Sequence, residues 1–278
     1  MILDLKNVCK VYGEGCKECL DTTGAIFNNS ICQNCGSVVC INRISLRLNS
    51  GEVLGIVGES GSGKSTLLQL IYQDQIATDG IIHLKGFFDE FSNLKNILDS
   101  NANEQSFLRD KLMSMIYQNP RLGLNYQFSA GGNIAEKIIN SGVKNYADIR
   151  KKALYYLEQT EVPVQRIDDY PDRFSGGQQQ RIQISKALSS NPKLLLLDEP
   201  TTGLDLSVQA RILDLIRELQ TEIGFAMVIV SHDLGVIKHL TDITVVMKNG
   251  QIVEKGLTDQ ILEDPQHPYS QLLVSSVL

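Results

Sequence analysis

The stretch VLGIVGESGSGKSTLLQL (53–70) decides how the rest of the chain is read. Its first five residues are a continuous apolar run of strand length, the pattern of a strand covered on both faces. GESGSGKS (58–65) then fits G-x-x-x-x-G-K-[ST], and a helix is expected to open at Lys64. Strand, glycine-rich turn and helix in that order make a cradle for phosphate. Gly58, Gly61 and Gly63, with Ser60 among them, let backbone N–H groups turn inward around the phosphates, and the helix N-terminus adds partial positive charge. Lys64 is expected to reach the outer phosphates of a nucleotide, with Ser65 on Mg²⁺ and Thr66 beside it.

Two stretches further along suit the same chemistry. LLLLDEP (194–200) sets Asp198 and Glu199 at the end of another apolar strand. Asp198 is placed to orient Mg²⁺ and its waters, and Glu199 to polarise a water attacking the γ-phosphate. FSGGQQQR (174–181) exposes the N–H groups of Ser175, Gly176 and Gly177 at a helix start, a second anion site. KLLLL (193–197), AMVIV (226–230) and ITVVM (243–247) read as strands. Helices are expected near 207–221 and 234–240, so a parallel sheet with crossover helices follows. ILDLKNV (2–8) and ISLRL (44–48) alternate as strands, 86–113 is polar with an amphipathic helix late in it, and 133–160 carries a helical pattern.

FSGGQQQR resembles the signature motif of the ATP-binding cassette (ABC) ATPases, with Phe174 where Leu is usual. The resemblance extends over nearly the whole chain outside residues 13–40. Gln118 in YQNP is similar to the Q-loop that senses Mg²⁺, Asp205 in GLD to the D-loop, and His232 in VSHD to the switch histidine. Tyr12 sits where the family stacks an aromatic ring on adenine. The resemblance implies an α/β P-loop NTPase fold with a parallel-sheet core, an antiparallel β subdomain and an inserted helical subdomain. One nucleotide-binding domain would span 1–278, with the Q-loop region and helical subdomain at about 87–175. It also implies ATP and Mg²⁺ as cofactors and a head-to-tail homo- or heterodimer. In that dimer Ser175 to Gln178 would act on the partner's nucleotide.

DPQHPYSQLL (264–273) is similar to the tail of the oligopeptide, dipeptide and nickel importer ATPases. SAGGNI (129–134), YADIR (146–150) and RIDD (166–169) look closer to the ABC subunit of the bacterial carbon–phosphorus (C–P) lyase system. That system cleaves phosphonates with a radical S-adenosylmethionine, iron–sulfur subunit. The resemblance implies docking on a soluble metalloenzyme rather than on a membrane permease. An activator of another anaerobic metalloenzyme, such as methyl-coenzyme M reductase, is a variant of this reading, and an importer ATPase is its alternative. A DNA-repair ABC ATPase is a third class, disfavoured by acidic balance and short length.

All six cysteines lie in the first forty residues. Cys16, Cys19, Cys32 and Cys35 offer C-x₂-C-x₁₂-C-x₂-C within an insertion at 13–40 that the family pattern lacks. Such pairs wrap thiolates onto one tetrahedral ion, and Gly36 allows the tight turn of a knuckle. Zinc, an iron–sulfur cluster and unbound thiols all remain open, with structural zinc the expectation. Cys9 belongs to a strand pattern; Cys40, bordering the next strand, reads as a spare thiol or an alternative ligand. The insertion is expected to serve docking, so that Cys32→Ser with Cys35→Ser would release metal and leave ATP affinity little changed.

Hydrophobic residues at 42% and charged residues at 21% describe a folded globular chain of 278 residues. A net charge of −6 argues against broad nucleic-acid binding. No apolar run reaches the roughly 18–20 residues of a membrane span, and no secretory leader is recognisable, so a cytoplasmic protein is expected, peripheral to the inner membrane if it serves an importer.

Overall fold

The computed structural model describes residues 1–86, 95–203 and 206–276. Two compact units share the chain, one of Met1–Gln105 with Ala226–Leu278 and the other of Ser106–Phe225.

In the first unit β1 (Leu3–Tyr12), β2 (Val38–Leu48) and β4 (Asp79–Leu84) form an antiparallel sheet in the order β2-β1-β4. Its register pairs Leu3 with Leu48 at one end and Tyr12 with Val38 at the other. Residues 13–37 therefore leave and re-enter the sheet side by side. A second sheet carries β3 (Val53–Val57), buried at every residue as its apolar run predicts. β3 runs parallel to β7 (Ala226–Val230) and to β8 (Ile243–Lys248), and β9 (Gln251–Leu257) adds antiparallel to β8. Buried Cys9 in β1 is the small core residue its strand pattern implies. Cys40 differs from expectation: β2 already begins at Val38, so Cys40 sits inside the strand.

The second unit pairs β5 (Met113–Ile116) in parallel with β6 (Leu194–Asp198). The helices Ala130–Asn140, Tyr146–Gln159 and Gly176–Leu188 begin at Ser129, Asn145 and Ser175, whose side chains accept backbone N–H bonds of the first turn. Ile134 and Ile138 form one buried stripe, and Ile149, Ala153 and Leu157 another. Each fully buried Ile or Leu in that core contributes about 1.5–3 kcal/mol. Ile139, part of the same sequence pattern, faces outward at 51% exposed. The helix expected late in 86–113 spans Ala102–Phe107 and continues as a π-helical turn, Leu108–Leu112. Among the described residues no helix is long and apolar enough to cross a membrane.

Candidate functional site

The phosphate-loop residues belong to the first unit. The helix Lys64–Tyr72 opens on Gly63 with no side-chain cap, and a helix start of this kind suits an anion. Lys64 is buried, and its Nζ donates to the carbonyls of Gly58 and Glu59, both at 2.8 Å. The loop is thus closed around its own lysine. Gly63 has φ +101°, and a Cβ there would stand 2.4 Å from the Cys40 carbonyl oxygen. Gly63→Ala is expected to displace the loop and weaken nucleotide binding about tenfold or more, because a residue forced into such a conformation costs about 1–3 kcal/mol. A titration with a fluorescent nucleotide measures it.

Other elements brace the loop. The Glu59 N–H donates to the Tyr269 hydroxyl at 2.9 Å, which ties the tail helix Pro268–Ser275 to it. Ser231 N–H reaches the Ile56 carbonyl, and Asp233 caps the helix Leu234–Leu240, so exposed His232 lies between two fixed neighbours. Tyr12 ends β1 half-exposed, with Lys10 Nζ 4.8 Å from its ring centroid and its hydroxyl bonded to Gln75.

The second unit brings Gln118 and Glu199 together. Glu199 Oε2 accepts from Gln118 Nε2 and from Thr202 Oγ1, each at 3.0 Å. Asp198 closes β6 and is buried, and the next residue, Glu199, has φ +46°. A glutamate in that left-handed region stores strain of the kind found at working sites. Thr202 has no motif that singled it out.

In the signature stretch Ser175 and Gln178 form a reciprocal capping box, which presents the N–H groups of Gly176 and Gly177 at the helix start. Phe174 is buried, and the Arg166 guanidinium stacks 4.0 Å over its ring while donating to Asp169 and the Arg173 carbonyl. An aromatic ring at this position therefore has a partner that a leucine would lack. Asp205 lies outside the described residues.

The sulfurs of Cys16, Cys19, Cys32 and Cys35 all lie within 4.8 Å of one another. Three separations are 3.6 Å (Cys16–Cys32), 3.6 Å (Cys16–Cys19) and 3.4 Å (Cys19–Cys35). Four thiolates at about 2.3 Å from one tetrahedral ion stand about 3.8 Å apart, so the cage fits a single ion. A multinuclear cluster occupies a larger cage. The N–H groups of Asn34 and Cys35 aim at the Cys32 sulfur and pull its thiol down to about 6. The Ser37 hydroxyl lowers Cys35. At Cys19 the Cys16 N–H favours the thiolate, but burial and the other three sulfurs prevail and push it up to about 12. Four sulfurs this close do not all ionise without a cation between them. Cys40 is not part of the cluster; its Sγ donates to Thr66 Oγ1 at 3.2 Å. The alternative-ligand reading is thereby corrected, because the strand turns this thiol toward the phosphate loop.

Comparison with known proteins identifies the family. The family model described as ABC transporter matches residues 41–202, more than half of the chain. The chain belongs to the ABC transporter ATPase family. As a member it is an ATPase, hydrolysing ATP to ADP and phosphate with Mg²⁺. It is 52% identical over 235 residues to the putative phosphonates utilization ATP-binding protein PhnK of Escherichia coli K12, covering 84% of this chain and 90% of that protein. To the dipeptide transport ATP-binding protein DppF of Haemophilus influenzae this ABC ATPase is 38% identical over 239 residues, covering 86% of itself and 70% of DppF. The dimeric ATP-binding cassette MJ0796 bound to ADP and Pi superposes with a TM-score of 0.76 at 27% identity, covering 92% of this chain and 99% of that one.

Proposed function

We propose that this ABC ATPase is an accessory motor of a soluble metalloenzyme complex of the C–P lyase kind, which closes as a dimer on ATP and opens on hydrolysis. The 52% identity to PhnK across 84% of the chain carries this reading, against 38% to the dipeptide transport protein. In the cycle Tyr12 stacks on adenine, and the loop of Gly58, Ser60, Gly61, Gly63 and Thr66 holds the phosphates. Lys64 leaves its carbonyl partners for the β- and γ-phosphates, and Ser65, Gln118 and Asp198 serve Mg²⁺. Glu199 takes the proton of the attacking water and His232 contacts the γ-phosphate. Ser175, Gly176, Gly177 and Gln178 act on the partner's nucleotide.

Cys16, Cys19, Cys32 and Cys35 hold Zn²⁺ in this reading. A four-thiolate site leaves no open coordination position, so the ion supplies folding energy rather than chemistry. The module is stapled because its own core is only Cys19, Cys32 and Val39.

The functional test is growth on a phosphonate as sole phosphorus source in an Escherichia coli strain lacking PhnK. The chain restores growth and its Glu199→Gln variant does not; a soluble, ATP-hydrolysing chain that fails to restore growth would falsify the phosphonate reading. Docking has its own prediction. Leu122 and Phe128, 70% and 46% exposed, follow the Q-loop residue and offer an apolar contact to a partner. Leu122→Asp with Phe128→Asp is expected to abolish partner binding and leave basal ATP hydrolysis within about twofold, since exposed substitutions rarely disturb a fold. Co-precipitation and an ATPase assay read the two effects separately.

A further inference from the structure

We infer that the four-thiolate site is a regulatory cation site linked to the phosphate loop, so that Zn²⁺ and nucleotide each strengthen the other's binding. The inference rests on the zinc reading above and concerns the path between the two sites, all of it inside the first unit.

The path runs through Cys40–Asn42 of β2. Asn42 is buried, and its Nδ2 donates to the carbonyls of Leu20 (2.9 Å) and Thr23 (3.2 Å), both between the two cysteine pairs. Its Oδ1 is buried without a partner. The amide is therefore satisfied only by the cysteine module. On the other side, Asn42 N–H donates to the Gly250 carbonyl at 2.8 Å, and Gly250 N–H donates to the Ser62 carbonyl of the phosphate loop at 3.0 Å. The Cys40 carbonyl is wedged so closely between Gly63 and Gly250 that a Cβ on either would approach it to 2.4 or 2.7 Å. Cys40 Sγ also reaches Thr66 Oγ1.

The element with two states is the module itself. With an apolar cluster of only Cys19 and Cys32 against Val39 of β2 it has too little core to stay folded once the ion leaves. Unfolding removes both acceptors from the Asn42 amide and the bonds from Val39 N–H to the Ser30 carbonyl and from Ala25 N–H to Gln251 Oε1. Without those bonds the start of β2 loses the contacts that fix it, and a shift there lets the Asn42 amide find new partners. Its close fit against Gly63 and Gly250 passes that shift to Ser62 and Thr66. This linkage predicts the opposite of the expectation that metal loss spares ATP affinity. Linkage requires the reverse effect to have the same size.

The test uses the full-length protein loaded with Zn²⁺. ADP affinity is titrated before and after removal of the ion by a zinc-selective chelator that leaves Mg²⁺ in place. Zinc transfer to the chelator is followed with and without saturating ADP and Mg²⁺. We expect ADP affinity to fall about fivefold or more on zinc removal, and ADP to raise zinc affinity by the same factor. Asn42→Ala, which keeps all four thiols, should bring both factors below about twofold. ADP affinity unchanged by zinc removal overturns the linkage while leaving the zinc site standing. A protein that binds no zinc overturns both. Should the variant not fold, the two wild-type titrations still decide.

Discussion

Glu199→Gln will lower ATP turnover by about 10²–10⁴-fold while nucleotide affinity stays within a few-fold, the scale of removing a general base. The geometry argues for so clean a separation. Glutamine is the isostere of glutamate, and its side-chain oxygen can still accept the bonds from Gln118 Nε2 and Thr202 Oγ1 that hold Glu199 Oε2 at 3.0 Å. The backbone at φ +46° is unchanged in kind, since both side chains meet the same left-handed penalty. What is lost is only the capacity to take a proton. Steady-state rates and nucleotide titration read the two quantities, and the ATP-bound dimer should accumulate on a sizing column. A variant that instead binds ATP poorly and turns it over at the normal maximal rate would place Glu199 in binding.

Cys32→Ser with Cys35→Ser has the largest expected structural effect. One knuckle is removed, so zinc content should fall from about one ion per chain to none. The loop 13–37 should then become open to protease while the remainder of the chain resists it. The scale follows from the source of the loop's stability. Structural Zn²⁺ supplies about 10–16 kcal/mol of folding free energy in comparable small modules, whereas the buried apolar cluster here is only Cys19 and Cys32 with Val39 of β2. Limited proteolysis with mass analysis, beside elemental analysis for zinc, reads both effects. A zinc-free loop that stays protected would show that β1 and β2 hold it without the ion.

These effects were legible in the sequence to different depths, for physical reasons. β3 and β7 match their expected bounds because an uninterrupted apolar run is both the sequence signal and the burial pattern. The phosphate loop was equally clear, since its chemistry needs fixed residue types at fixed spacing. β1 and β2 run further than their alternation suggested. Asn7 and Arg43 take positive φ at shifts in their pairing, and such bulges break period two. β9 was missed because all its residues are at least partly exposed, so QIVEKGL shows no contrast between faces. The cysteine cage was legible from spacing, but its tie to the phosphate loop was not. Asn42 finds its partners at Leu20, Thr23 and Gly250, and no local pattern marks contacts so distant along the chain.

The docking of this ATPase on a soluble metalloenzyme is tested most directly by its company in the cell. The chain is isolated under anaerobic conditions in mild detergent from the cells that make it, and everything that comes with it is identified by mass spectrometry. The account predicts soluble metalloenzyme subunits, retained when ATP cannot be hydrolysed. Membrane permease subunits in stoichiometric amount would contradict it and make the chain the motor of an importer.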